Sequence, residues 1–531
     1  MSSSSESYDY IVVGAGSSGC VVARRLLERS DGSIDPSVSV LLLEAGGADD
    51  DAHIHRSFVP EIFDTWQSPR ITRNYVVERR DGAGTPWPAI ARGIVRGGSS
   101  AINGMIYVRG NHRDFDRWAH EEGASGWSYE EVLPYFKRSE DFEGGESRFH
   151  GADGPMRVRR MLDPTPVAHA FTVATAEKYG HSGNWDFNGE QQEDGGGLYQ
   201  VNVTEYGTRA STAVAFLDPL EGQDVGLKEK TGMLATRIVI SRGKATGVEC
   251  LNSATGEAVT FHAAREVIVS AGALESPKLL MLSGIGPEEV LKSHGIKTRV
   301  ALPGVGQNLR DHLLLLVYYE SKYAELPEPK FIAESGLFTY TPEHSPSPHQ
   351  SPDLQYHFCA GMKFFTPPKM PANFLFCPTL AQPHSRGYVT ILSDDPRHPP
   401  LVEPNYLMVD TDVRVLVHGI ELARELVDMK AFDEFRGNEL WPGRKLPNES
   451  FDSEVDFVRK TARTVWHPVG TCKMGAENDP LAVVDPELKV RGVEGLRVAD
   501  ASVMPSITSG NTNAACIMIG EKAADFVRAA R

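Results

Sequence analysis

The sequence predicts an α/β protein whose glycine-rich domain is discontinuous, with an inserted α+β unit built on an antiparallel sheet. Three observations predict it. A strand, a glycine turn and a helix open the chain. Stretches of the same glycine- and alanine-rich style return much later, and the section between about 315 and 400 is rich in proline and aromatics instead.

The opening element is YDYIVVGAGSSG, residues 8–19, followed by a helical stretch over 20–28. Gly14, Gly16 and Gly19 form GxGxxG, which serves a tight turn, close backbone approach to a pyrophosphate, and close helix–strand packing. The N-terminus of the helix offers free N–H groups and positive dipole to a phosphate. A second apolar strand, 38–43, ends in Glu44, where a carboxylate can hold the ribose hydroxyls of an adenosine. The motif therefore reads as a Rossmann-like dinucleotide site, and leaves NAD and FAD both open.

At 531 residues the chain is long enough for two or more domains. Apolar content of 41% with 24% charged residues marks a globular protein, and a net charge of −17 disfavours nucleic acid and anionic membrane as partners. The six cysteines are scattered without a CxxC pair, so they read as reduced thiols and not as a disulfide framework or metal site. The segment MSSSSES lacks a basic and apolar leader, RAAR carries no lipidation or peroxisomal signal, and no run of about 18 apolar residues exists. The expectation is a cytoplasmic monomer or homodimer with a small-molecule substrate and no membrane span.

Further strands are expected over 238–240, 245–250, 267–270, 313–319, 354–358 and 387–392. Helices are expected over 21–30, 129–139, 166–179, 412–428 and 453–461. The cofactor domain is assigned to 1–160, 201–312 and 462–531, the inserted substrate domain to 161–200 and 313–461. A candidate lid runs over 60–90, with Trp66, Tyr75 and Trp87. Two more glycine units follow the first: RGGSSAINGM at 96–105, and the strand–Gly–helix VIVSAGALESPKLLMLSGIG at 267–286. Several such loops from distant positions suit a long cofactor such as FAD.

These residues resemble the glucose–methanol–choline (GMC) family of FAD oxidoreductases over roughly 8–528. GALESPKLLMLSGIG at 272–286 fits the family's second signature. GGSSAIN at 97–103 nearly meets the first, departing at Arg96, where an aliphatic residue is usual. TVWHPVGTCKMG at 464–475 and LRVADASVMPSITSGNTN at 496–513 resemble the choline oxidase, choline dehydrogenase and alcohol oxidase branch. The resemblance implies that Gly14, Gly16, Ser17, Ser18 and Gly19 hold the pyrophosphate, and that Glu44 and Ala45 hold the adenosine ribose, with Ile238 against the adenine. Gly98, Ser99, Asn103, Gly104, Met105 and Ile106 would wrap the ribityl chain and ring. Asp500 and Ala501 would return to the phosphate, and Ala271, Trp466, Thr512 and Asn513 would complete the cofactor contacts.

By the same resemblance His467 is the base that takes the alcohol proton while hydride passes to flavin N5, and Asn511 positions the alcohol oxygen. The helix after Asn513 would point its positive end at the flavin. The substrate pocket would include Ile102, Leu314, His357 and Val465, and Phe358, Met362, Phe364, Phe365 and Phe374 are candidates for its apolar wall. Two departures bear on chemistry. Choline oxidase attaches its flavin through a histidine where Ile102 stands, so FAD here is expected to be non-covalent. Choline enzymes carry a glutamate just after an Asp-His pair, and Leu314 stands there, so a primary alcohol with an apolar tail or ring is favoured over choline. The expected acceptor is O2, yielding H2O2. A quinone or other carrier is the alternative, and a GMC-fold hydroxynitrile lyase a more distant one.

Overall fold

The computed structural model describes residues 6–56, 58, 61–77, 87–181, 185–344, 350–361, 370–443 and 451–530, with backbone alone for 451–453. Met362, Phe364 and Phe365 lie outside the described residues, as do residues 60 and 78–86 of the expected lid.

The opening strand Ser7–Val13 sits in the middle of a seven-stranded sheet, which is why its YIVV end is apolar on both faces. It pairs in parallel with Val40–Leu43 on one side and Ala258–Val269 on the other. Leu227–Lys230 extends one edge in parallel, and Lys244–Asn252 and Met233–Ser241 extend the other antiparallel. Leu496–Val498 joins Ala258–Val269 in parallel, so the end of the chain closes the sheet that its beginning opened. The helix Ser17–Leu26 packs on the terminal helix Asn513–Ala529. Gly520 permits that contact, since a Cβ there would lie 2.8 Å from the Ser18 carbonyl oxygen.

An eight-stranded antiparallel sheet forms the second layer system. Its order is Arg436–Trp441, Val317–Ser321, Asn373–Leu380, Leu354–Ala360, Ser335–Thr339 and Gly195–Leu198, with Leu313–Leu314 and Arg463–Thr464 at one corner. The stretch expected as one strand over 313–319 breaks at Leu315 and Leu316. Every residue of Leu354–Ala360 and Asn373–Leu380 is buried, because each face has its own neighbours. Tyr356, Phe358, Phe374 and Phe376 pack with the helices Pro166–Tyr179 and Asp410–Val427, with Phe171 stacked on Phe358 at 4.6 Å. The alternating residues His357, Leu375 and Cys377 face the opposite way, into a cavity. Phe358 and Phe374 thus belong to the core and not to the pocket wall. Gly387–Thr390, expected in the middle section, joins a separate five-stranded sheet with Gln307–Leu309, Leu401–Glu403, Thr72–Val77 and Trp87–Gly93.

Candidate active site

Two cavities of about 160 Å³ each meet end to end below the strand ends of the first sheet. They share Ser17, Arg92, Ser99 and Cys516 on their walls, so together they make one long slot.

The first half is walled by backbone. Gly14 has φ +102°, and a Cβ there would sit 2.4 Å from the Ser270 carbonyl oxygen. Gly98, at φ +53°, lets its loop approach within a Cβ distance of 2.6 Å from the Gly16 Cα. The helix Ser17–Leu26 starts from Gly16 with no side-chain cap, which leaves its first N–H groups for a phosphate. Ser18, Ala45, Ala271, Asp500 and Ala501 complete this wall with Glu44. Glu44 Oε2 accepts the Ala15 N–H at 3.0 Å and Oε1 the Gly46 N–H at 2.8 Å. Burial pushes its carboxyl up to about 7 despite these bonds. Asp500 Oδ2 accepts the Gly272 N–H at 2.8 Å and the Ser276 hydroxyl at 2.6 Å, which ties the third glycine unit to the chain end.

Two residues that the sequence placed at the cofactor stand elsewhere. Gly19 lies behind the wall, where a Cβ would meet the Gly14 carbonyl oxygen at 1.8 Å; it serves packing. Ile238 is fully buried in the core, with its N–H donated to Ser283 Oγ at 2.8 Å. The wall positions of that strand are Met233, Leu234 and Ala235, nearer its start. The Arg96 departure is also explained. Its buried guanidinium bonds Glu229 at 2.8 Å and Asp218 at 2.6 Å, and so anchors the Gly97–Gly98 turn to the sheet edge.

The second half holds Ile102, Asn103, Gly104, Met105, Ile106, Thr512 and Asn513 on its walls, together with Leu314, His357, Val465, Trp466, His467 and Asn511. Asn513 Oδ1 accepts the Ser17 hydroxyl at 2.7 Å, so the helix Asn513–Ala529 is fixed to the helix Ser17–Leu26 where the two cavities meet. Trp466 has φ +62°, a strained value for a tryptophan. Its carbonyl accepts from Arg92 at 2.7 Å, its indole N–H donates to the Ala89 carbonyl at 3.0 Å, and its ring packs on Trp66 at 4.4 Å. Asp311 Oδ1 accepts the His467 N–H at 2.7 Å. These contacts hold the His467 backbone.

The ring of His467 is oriented by His312, which sequence reasoning saw only as half of an Asp-His pair. His312 Nε2 lies 3.1 Å from the Ala381 carbonyl oxygen, which only accepts, so Nε2 carries a hydrogen. Burial drives His312 down to about 3, so its ring is neutral and Nδ1 bears a lone pair. His467 Nδ1, 3.0 Å away, must donate to it. His467 is itself held well below the ordinary histidine range, first by burial and then by His312, His357 and Arg92. Its hydrogen is therefore on Nδ1, and the Nε2 lone pair faces Asn511 Nδ2 at 3.4 Å. Among the described residues Asn511 Oδ1 and both ring nitrogens of His357 are buried without partners, and burial lowers His357 to about 4. Unpaired polar atoms converging on an apolar cavity suit a hydroxyl-bearing ligand.

An uncapped helix end, a glycine-walled slot and a polar cluster at its far end fit an extended FAD, and they define a dinucleotide-dependent oxidoreductase. GMC oxidoreductase family models match residues 8–314 and 383–520. The chain belongs to the GMC oxidoreductase family: it is an FAD enzyme acting on CH–OH groups. It is 41% identical to an oxygen-dependent choline dehydrogenase of Sinorhizobium fredii, covering 98% of this chain and 95% of that one. It is 39% identical to the mitochondrial choline dehydrogenase of Homo sapiens, over 99% and 91%. Among solved structures it resembles pyridoxine 4-oxidase from Mesorbium loti with a TM-score of 0.86 and 30% identity over 98% of each chain. It resembles formate oxidase of Aspergillus oryzae RIB40 with a TM-score of 0.87 and 27% identity over 99% of each.

Proposed function

We propose that the protein oxidises a primary alcohol to an aldehyde, with His467 Nε2 as the base that receives the hydroxyl proton. The tautomer of His467 carries this reading: a neutral imidazole with its lone pair turned into the cavity and its other nitrogen committed to His312. Asn511 and His357 orient the alcohol oxygen, and the apolar wall excludes water. Bound FAD supplies the hydride acceptor, flavin N5. Glu44 and Ala45 hold the adenosine ribose, Gly14, Gly16, Ser17 and Ser18 the pyrophosphate, and Asn103–Ile106 the ring. Ile102 at the loop position offers no nucleophile, which supports non-covalent FAD.

An apolar alcohol is favoured over choline. Leu314, Leu316, Ile332, Leu375 and Val465 line the cavity, and among the described residues no Asp or Glu does. A quaternary ammonium would lose its water without gaining a counter-ion. The choline dehydrogenase names of the relatives favour a second reading, in which choline is the substrate. We take O2 as the acceptor, in keeping with the oxidases among the structural neighbours; a carrier is the alternative. The chain divides, in this reading, into an FAD domain of 1–160, 201–312 and 462–531 and a substrate domain of 161–200 and 313–461; the two largest buried clusters cross these bounds, with Tyr75, Trp87, Leu274 and Leu309 in the second and Ile391 in the first. Six unpaired cysteines support a reducing compartment such as the cytoplasm. Among the described residues no helix is long and apolar enough to cross a membrane.

The test is anaerobic mixing of the purified protein with hexan-1-ol, benzyl alcohol and choline. The reading expects flavin bleaching with aldehyde formed, fastest with the uncharged alcohols, and peroxide when air is admitted. A wide preference for choline would establish the second reading. No bleaching with any alcohol would remove both.

A further inference from the structure

We propose that Arg463 binds a carboxylate on the far end of the substrate, so that the alcohol oxidised here is a hydroxy acid with an apolar spacer between its two polar ends. The proposal rests on the alcohol-oxidation reading above and names the substrate class for that site.

Arg463 and Leu314 are directly opposed in the antiparallel pairing of Arg463–Thr464 with Leu313–Leu314. Cross-strand partners project from the same face of a sheet, and both residues line the ring-end cavity. The charge reaches the wall beside them. Burial pushes the Cys377 thiol up to about 12, against the pull of the Arg463 guanidinium. Two buried arginines elsewhere in the chain have carboxylates, Arg109 with Glu140 at 2.7 Å and Arg96 with Glu229 at 2.8 Å, while Arg209 has the Ser100 carbonyl at 3.2 Å and Asn103 Oδ1 at 2.7 Å. Arg463 has no ion pair among the described residues, and its Nε is buried with no acceptor. The cavity's other cation, Arg92, is already engaged by the Trp466 carbonyl.

A half-buried guanidinium facing an apolar cavity is costly unless an anion meets it. Its planar fork matches a carboxylate in particular. Arg463 lies four residues before His467, so their Cα atoms are at most about 13 Å apart along an extended chain. That bound limits the spacer between a carbinol at His467 and a carboxylate at Arg463 to a short one, and a benzene ring or a short methylene chain falls within it. Leu314, Leu375 and Val465 line the same cavity.

The test compares 4-(hydroxymethyl)benzoate with benzyl alcohol, and 6-hydroxyhexanoate with hexan-1-ol, in the FAD-loaded enzyme. The wild type is expected to favour the acid of each pair in kcat/KM by about 10-fold or more, the worth of a charged hydrogen bond. In Arg463→Leu that ratio should fall towards one, and Arg463→Lys should retain part of it. A parallel titration with 4-methylbenzoate, which has no hydroxyl to oxidise, reads binding through the flavin absorbance. It should weaken by about 10-fold or more in Arg463→Leu. A wild-type ratio at or below one, or a ratio that Arg463→Leu does not change, overturns the proposal. If no alcohol bleaches the flavin, the alcohol-oxidation reading fails, and the titration decides for Arg463 alone: absent binding, or binding equal in both proteins, overturns it.

Discussion

The two ends of the slot are built from opposite materials. The end we assign to adenosine is backbone: glycines at positive φ, an uncapped helix and carbonyl-width clearances. The ring end is side chains: the imidazoles of His357 and His467, one amide and an apolar wall, of which His357, Leu375 and Cys377 are set by cross-strand register in a second sheet. Binding through backbone tolerates little change in shape. Chemistry through side chains tolerates little change in proton position. The difference teaches that substitutions at the first end should cost FAD, and substitutions at the second should cost rate with FAD in place.

The largest effect is expected from Gly98→Val, which would press a side chain into the Gly16 Cα at a backbone angle suited to glycine. The protein should purify folded by circular dichroism with its flavin content reduced by about 10-fold or more. Full flavin content would show that this close approach is dispensable. Next comes His312→Leu, which frees His467 to place its proton on either nitrogen. Flavin reduction should slow by about 100-fold with flavin content kept, and the pH profile should change shape. A uniform drop in folded protein instead would make His312 merely structural.

The pH dependence sharpens the same contrast. With His467 held below its ordinary 6.5, kcat/KM should be level above pH 7 and fall in acid as the base protonates. Stability follows with a definite sign. His312 and His357 lie at about 3 and about 4 when folded but near 6.5 when unfolded. Below pH 6.5 the unfolded chain binds more protons, so stability drops as pH falls towards about 3. Glu44 and Asp311, raised to about 7 and about 6, offset part of this, because the folded chain holds their protons. Thermal melts across pH 4 to 8 check it; a melting temperature that rises in acid would contradict it. The smallest effect is expected from Glu44→Ala, which removes the acceptor of two backbone N–H groups. FAD binding should weaken by about 1–2 kcal/mol, read by flavin release on dilution.

The adenosine end was legible in the sequence because its physics is local. Gly14 and Gly16 are spaced for one turn, and the turn itself makes the site. The sequence also singled out His467 and Asn511, through the resemblance of their flanking runs. The ring end was less legible because it depends on register. Phe358 and His357 are neighbours in sequence, yet the period of two sends one to the core and the other to the cavity. Ile238 failed for a related reason: the strand is right, but its wall-facing part is three residues earlier. Arg463 and Leu314 are 149 positions apart and meet only through strand pairing. No spacing rule could have shown His312 as the partner that fixes the His467 tautomer, since that follows from a carbonyl at Ala381.

The central claim is that His467 acts on the proton and not on the cofactor. Rapid anaerobic mixing of His467→Gln with alcohol tests it most directly. Flavin content should match the wild type, while bleaching slows by about 100-fold to 10,000-fold. Bleaching at near wild-type rate, with flavin content normal, would contradict the account.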